Sequence, residues 1–139
     1  MKFCYKIFPE RRAIVARYAG ALTLSELVAS AETMWADPSY SRKFDGIADI
    51  SDASLGVAMS DFRALLGFLR DHHRTSQGRW AAVATTPFAT ACGMMYRGAL
   101  FGRHTLEIFS TWEAACDFIN VDLPSDVSLG GGDTHTRPR

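Results

Sequence analysis

Arg12-Ala13-Ile14-Val15-Ala16-Arg17-Tyr18, then Gly20, then Thr23-Leu24-Ser25-Glu26-Leu27: within this one stretch the apolar period changes from two to 3.6. In the first part Ile14, Ala16 and Tyr18 alternate with Val15 and Arg17, as a strand with one half-buried face requires. In the second part Thr23 and Glu26 have the spacing of a capping box, in which the Thr hydroxyl takes an orphan amide and the Glu reaches back. Leu24, Leu27, Val28, Ala31 and Trp35 continue at helical spacing until Asp37-Pro38 stops the helix. A strand feeding directly into a capped helix is one half of a strand–helix–strand unit.

The same change of period recurs downstream. Gly46–Ile50 is a short apolar strand, and Ser60 is placed to cap a helix with the stripe Phe62, Leu65, Leu66 and Leu69. Trp80–Ala84 is apolar without alternation, which predicts a central strand covered on both faces. Thr86-Pro87 supplies an N-cap and a first-turn proline for a helix reaching about Phe101, with Gly102 at its end. Thr105–Phe109 alternates again, and Ser110-Thr111-Trp112-Glu113 reads as a second capping box ahead of Trp112, Ala115, Cys116 and Ile119. Upstream, Phe3–Phe8 is joined to the opening strand by Pro9-Glu10-Arg11, a turn of hairpin length.

The order is therefore ββαβαβαβα. It predicts a single α/β domain, a five-stranded mixed sheet with four helices, in which the N-terminal hairpin is antiparallel and the remaining strands are parallel. The domain is expected to span residues 1–121. From Asp122 the periodicity stops, and 122–139, with Pro124 and Gly130-Gly131-Gly132, reads as a disordered C-terminal tail.

The chain has 139 residues, 47% hydrophobic and 22% charged, with 15 basic residues against 15 acidic ones. That is the composition of an ordinary globular domain, without the net field that draws nucleic acid to a protein. Met1–Lys6 is charged and strand-like rather than a signal peptide, and no apolar run is long enough for a membrane span. Three cysteines, Cys4, Cys92 and Cys116, are odd in number and embedded in apolar segments, which points to reduced thiols and a cytoplasmic protein.

The hairpin Tyr5–Tyr18 and the helix opening Gly20–Leu27, with Gly46–Ala53, Phe62–Arg70 and Arg79–Ala84, resemble the STAS-like (SpoIIAA-like) family over roughly Met1–Asn120. The resemblance implies a five-stranded sheet with four helices and a relation to anti-sigma-factor antagonists. Those regulators are switched on a serine in an Asp-Ser-Ser-Gly-type motif opening the second helix. Here that place holds Val57-Ala58-Met59, with Ser60 as the nearby hydroxyl, so the switch motif is missing.

Ligands of open parallel sheets sit beyond the strand carboxyl ends, which predicts a rim of Asp49, Ser51, Asp52, Ser54, Thr85 and Thr86. Helix capping by Thr86 and Ser110 and turn formation by Asp52 and Ser54 are the simpler roles for these groups. No nucleophile elbow, no cysteine at a helix start and no phosphate loop occurs. His72 and His73 are adjacent, so they diverge by about 100° on a helix and do not form a metal pair. No catalytic residue, metal or cofactor is expected, and the chain is not read as an enzyme.

One helix departs from the amphipathic rule. Pro87–Phe101 offers a core stripe of Phe88, Ala91, Cys92, Met95 and Ala99, yet its other face carries Thr90, Met94, Arg97 and Phe101. Such a face, with Gly93 and Gly98 allowing close backbone approach, predicts a homodimer interface. The leading expectation is a non-catalytic regulatory or protein-interaction module with a protein partner. The alternative is a small-molecule or lipid-binding carrier using the strand-end rim and this third helix.

Overall fold

The computed structural model describes residues 2–55, 59–100 and 104–125. Strand β1 (Phe3–Phe8) turns through one 3-10 segment, Pro9–Arg11, into β2 (Ala13–Leu22). Arg12 makes the corner in the left-handed region at φ 53°. There follow α1 (Leu24–Ala36), β3 (Asp45–Leu55), α2 (Met59–Asp71), β4 (Arg79–Val83), α3 (Pro87–Ala99), β5 (Thr105–Phe109) and α4 (Trp112–Ile119). This is the expected five-stranded mixed sheet with four helices, β1 antiparallel to β2 and every later pair parallel.

The spatial order of the strands is β1-β2-β3-β4-β5, so the sheet never reverses direction. Right-handed crossovers that always step to the same side place α1, α2 and α3 on one face. The two faces follow the strand alternation. Val15, Ile47, Ala81 and Val83 pack beneath α4 with Trp112, Cys116 and Ile119. Ile14, Ala16, Trp80, Ala82 and Leu106 face the other way, toward Met34 of α1. A further apolar cluster, of Trp35, Phe62, Leu65, Leu66, Leu69, Cys92 and Leu100, lies among the three helices themselves.

Several local readings shift. Ala13–Ala16 are all buried, so β2 is covered on both faces rather than half-buried. Thr23 does form the capping box, accepting from Glu26 N at 3.2 Å while Glu26 Oε1 accepts from Thr23 N at 2.9 Å. In α4 the cap is Thr111, which accepts from Ala114 N at 3.2 Å, and not Ser110. Helix α2 begins at Met59, which puts Ser60 inside its first turn rather than at its cap. Gly102 and the tail from residue 126 lie outside the described residues.

The packed domain also runs past residue 121. Leu123 is buried against Trp112 and Cys116, and its carbonyl accepts the Trp112 indole N–H at 2.7 Å. Arg11 donates to the Asp122 carbonyl at 2.6 Å, and Arg17 donates to that of Ser125. A lone leucine and two carbonyls carry no periodicity, which is why the sequence pattern stops short of them.

A chain ending at Val121 should therefore be less stable than one ending at Ser125 by about 3 kcal/mol. The loss combines the burial of one leucine with a stranded indole donor. Equal urea midpoints for the two chains would show that this segment contributes nothing.

Candidate functional site

The expected rim does not assemble. Beyond Ile50, strand β3 continues to Leu55, so Ser51, Asp52 and Ser54 lie in a strand and not in the loop after it. Strand β4 pairs with β3 only as far as Val83↔Asp49, and from there β3 is held by β2 alone. Asp49 turns toward α4. Its carboxylate lies 3.6 Å from Arg17 Nε and accepts Ser51 N–H at 3.1 Å, while the Arg17 guanidinium lies over Trp112 at 5.2 Å. Asp52, Ser54 and Thr85 are exposed, and Thr86 is occupied as the α3 cap, accepting from Ala89 N at 3.1 Å. A sheet ordered 1-2-3-4-5 has no topological switch point, so the crevice that the rim requires is not formed.

The concavity lies elsewhere. A cavity of about 180 Å³ separates the sheet from α1, α2 and α3. Its floor is Tyr18 of β2, Ala48, Ile50 and Ala53 of β3, Trp80 and Ala82 of β4, and Leu106 of β5. A bulge sets part of that floor. Between Arg17↔Asp49 and Ala19↔Asp52 strand β3 carries one more residue than β2, so Ala53 rather than Asp52 follows Ile50 on the cavity side. The roof is Leu27, Ala31, Met34 and Trp35 of α1, Phe62, Leu65 and Leu69 of α2, and Phe88, Ala89, Cys92 and Tyr96 of α3. Ala48 and Ile50 keep accessible surface although they sit in the middle strand, because the roof stands away from them. Phe88 is half exposed at the start of α3, beside the overhanging end of β3.

No Asp, Glu, Lys or Arg lines this space among the described residues. Most polar groups of the wall are committed internally. Ser30 Oγ donates to Leu27 O at 2.7 Å and lies 3.4 Å from Tyr18 OH. Tyr40 OH donates to Arg74 O at 2.6 Å, and Thr75 Oγ1 to Leu69 O at 2.5 Å. Ser76 Oγ accepts from Trp80 Nε1 at 2.8 Å. Burial pushes the Tyr40 phenol up to about 12 and raises those of Tyr18 and Tyr96, so all three stay protonated. The Cys92 thiol is likewise raised by desolvation.

His104 is the exception. It is 93% buried, its Nδ1 lies 3.1 Å from Tyr96 OH, and its Nε2, itself inaccessible, has no hydrogen-bond partner among the described residues. Desolvation holds its pKa down to about 4, so the ring is neutral. Neither Tyr96 nor His104 carries a sequence signal for this role: they are eight residues apart and meet across the end of α3, where no periodic rule links them.

The α3 face carrying Thr90, Met94 and Arg97 is exposed, and Arg97 pairs with Glu107 Oε2 of β5 at 3.3 Å; Phe101 lies outside the described residues. The buried side of α3 is Ala89, Cys92 and Gly93: Cys92 belongs to the expected stripe and Met95 packs partly buried beside it, whereas Phe88, Ala91 and Ala99 are exposed. A Cβ at Gly93 would stand 2.9 Å from Ile108 Cγ1, so this glycine admits the domain's own β5. His72 accepts Arg74 N–H on Nδ1 at 3.0 Å and stacks on Trp35 with centroids 4.3 Å apart. Among the described residues no three His, Cys, Asp or Glu side chains gather as a metal-binding group.

No family model matches the chain, and no curated protein does. Among solved structures the chain is similar to an uncharacterized protein of the DUF3478 family with a SpoIIAA-like fold, from Shewanella loihica PV-4. The two share 14% identity with a TM-score of 0.53, over 77% of this chain and 83% of that one. The chain thus has the SpoIIAA-like fold that the sequence pattern suggested.

Two measurements test this geometry. Gly93→Ala should lose about 1 kcal/mol, since crowding against Ile108 outweighs the gain in helix propensity, whereas Gly98→Ala, with open space around it, should gain up to about 1 kcal/mol. A stabilised Gly93→Ala protein would contradict the packing described. The second concerns pH. Above the ordinary pKa of 6.5 His104 is neutral folded or unfolded; between 6.5 and about 4 only the unfolded chain takes the proton, so stability falls as pH falls. That difference is worth about 3 kcal/mol by pH 4. Urea unfolding at pH 7.5 and 4.5 should show a smaller loss in His104→Phe than in the wild type, and equal losses would acquit His104.

Proposed function

We propose that this SpoIIAA-like domain is a non-catalytic binding module that holds a small, mostly apolar molecule between its sheet and its three-helix layer. The observation that carries this reading is the cavity of about 180 Å³ with no charged group on its wall among the described residues. It is comparable to an engineered apolar cavity of about 150 Å³ that takes up benzene. A space of this size forgoes packing worth about 4 kcal/mol at the usual cost per unit volume, a sizeable part of a domain's net stability. A structural role for the domain alone would favour larger residues than Ala48, Ala53 and Ala82 on the floor. The wall offers one imidazole, three protonated phenols and a raised thiol, which supports binding rather than acid–base chemistry.

A second reading concerns partners. Among the described residues the exposed large hydrophobic side chains are Phe88 and Met94, both on α3, at 50% and 53% exposure. Met94 with Thr90 and Arg97 favours a protein contact on that face, with a second copy of the chain as the expected partner. A cytoplasmic location fits Cys92 and Cys116, both buried as thiols.

Toluene is the probe for the cavity. At ten times its Kd it should add about 1.4 kcal/mol, raising the melting temperature by roughly 5 °C. Ala48→Leu, which fills the floor, should remove most of that shift and stabilise the free protein. A melting temperature indifferent to toluene up to its solubility, with Ala48→Leu nonetheless stabilised, would sink the binding reading and leave only a packing defect.

A further inference from the structure

The two ends of the cavity differ. Trp80 stands at the start of β4, level with Gly46 of β3, and a Cβ at that glycine would lie 2.5 Å from its ring. Trp35, from the last turn of α1, lines the same end, where its carbonyl accepts from Arg74. Thr75 and Ser76 close it with hydrogen bonds inside the domain, and all but Arg74 of these side chains are buried. At the opposite end β4 leaves the sheet after Val83 and enters α3 at Pro87, while β3 runs on to Leu55 against β2. There Ile50 and Ala53 line the cavity half-buried, and Phe88 is the one exposed residue among those described in the lining. Ser51 N–H is taken by Asp49, and from Asp52 to Ser54 the side of β3 that β4 leaves makes no backbone hydrogen bond to a described residue. The space is thus drawn out along the strands, blind at Trp80, and open at Phe88 beside main-chain polar groups that face water.

From this polarity we infer that the cavity takes a single-chain amphiphile tail-first. The alkyl chain runs from Phe88 toward Trp80, and the polar head stays in water beside the free edge of β3. The inference rests on the proposed cavity function and narrows its ligand class. A head group drawn inside would lose its water against a wall without charged groups, a cost that a place at the mouth avoids. At about 180 Å³, against about 150 Å³ for a cavity that takes up benzene, the space covers a chain of about seven carbons. Longer chains project past Phe88 instead of being refused.

Straight-chain alcohols from 1-butanol to 1-decanol, titrated calorimetrically into the full chain, read the depth. Affinity should rise about four-fold per added CH₂ up to about seven carbons and change less than about two-fold per carbon beyond. A drop of about ten-fold or more past 1-heptanol would mean a closed chamber, and an undiminished rise through 1-decanol would mean that no head is held at the mouth; either overturns the proposal. Octanoate, ionised at neutral pH, should bind within about five-fold of 1-octanol, because its carboxylate stays in water. Binding of 1-octanol without octanoate overturns it as well. Contact quenching by bromine reads the orientation in the unmodified protein. Trp35 and Trp80 stand at the blind end and Trp112 lies on the opposite face of the sheet, so at equal occupancy 8-bromooctanoate should quench tryptophan emission at least about twice as much as 2-bromooctanoate. Equal quenching, or more from the 2-bromo acid, overturns the tail-first assignment. Toluene binding with no alcohol or octanoate bound would remove the amphiphile and leave the cavity reading intact, whereas indifference to toluene and to every chain would overturn both.

Discussion

Crossover handedness, applied repeatedly in one direction, shapes this domain. Each parallel connection must be right-handed. Because the strands are laid down in the order β1 to β5 without reversal, three successive crossover helices are forced onto one face. A doubly wound sheet would have shared them between two faces and opened a crevice where the order turns back. Here the opposite face receives α4 alone, and the segment Asp122–Ser125 completes its cover, with Leu123 beneath Trp112. The same constraint removes the strand-end crevice and crowds three helices over five strands.

The two faces solve their packing differently. Under α4, side chains interdigitate directly with the sheet: Val15, Ile47, Ala81, Ala115 and Ile119 are at most 1% exposed. On the other face the three helices pack partly on each other, through Trp35, Phe62, Leu65, Leu66 and Leu69. Aromatic residues on the roof hold it away from a floor of alanines at positions 48, 53 and 82. Where α3 does come down on the sheet, it needs Gly93 to clear Ile108. The cavity therefore results from large residues between helices combined with small ones on the strands beneath.

Local order was legible wherever a rule acts within a few residues. Thr23 to Glu26 announces α1, and Thr86-Pro87 announces α3, because a capping side chain and its amide are neighbours in the chain. The far half of β3 was not legible. Ser51-Asp52-Ala53-Ser54 has poor strand propensity and is extended because β2 pairs with it across a bulge, a tertiary cause. The buried side of α3 is only partly legible for a related reason. Hydrophobicity picks out Cys92 and Met95 correctly but also the exposed Phe88, whereas close approach to β5 selects the small Ala89 and Gly93. The site suffered most, since a cavity wall drawn from α1, α2, α3 and four strands has no period, and the Tyr96–His104 pair follows no helical or strand spacing.

Elsewhere among the described residues local and global preferences agree: α1, α3 and α4 are capped, the central strands are apolar on both faces, and Trp80 and Trp112 each place their indole N–H on an oxygen. Two departures stand out, the unfilled space between roof and floor and the unmatched Nε2 of His104. Each lowers stability, the first by lost contacts and the second by desolvation without a bond. The first belongs to the gap between strands and helices, the second to a ring whose Nε2 has no surface open to that gap, so an occupant would recover the lost contacts alone.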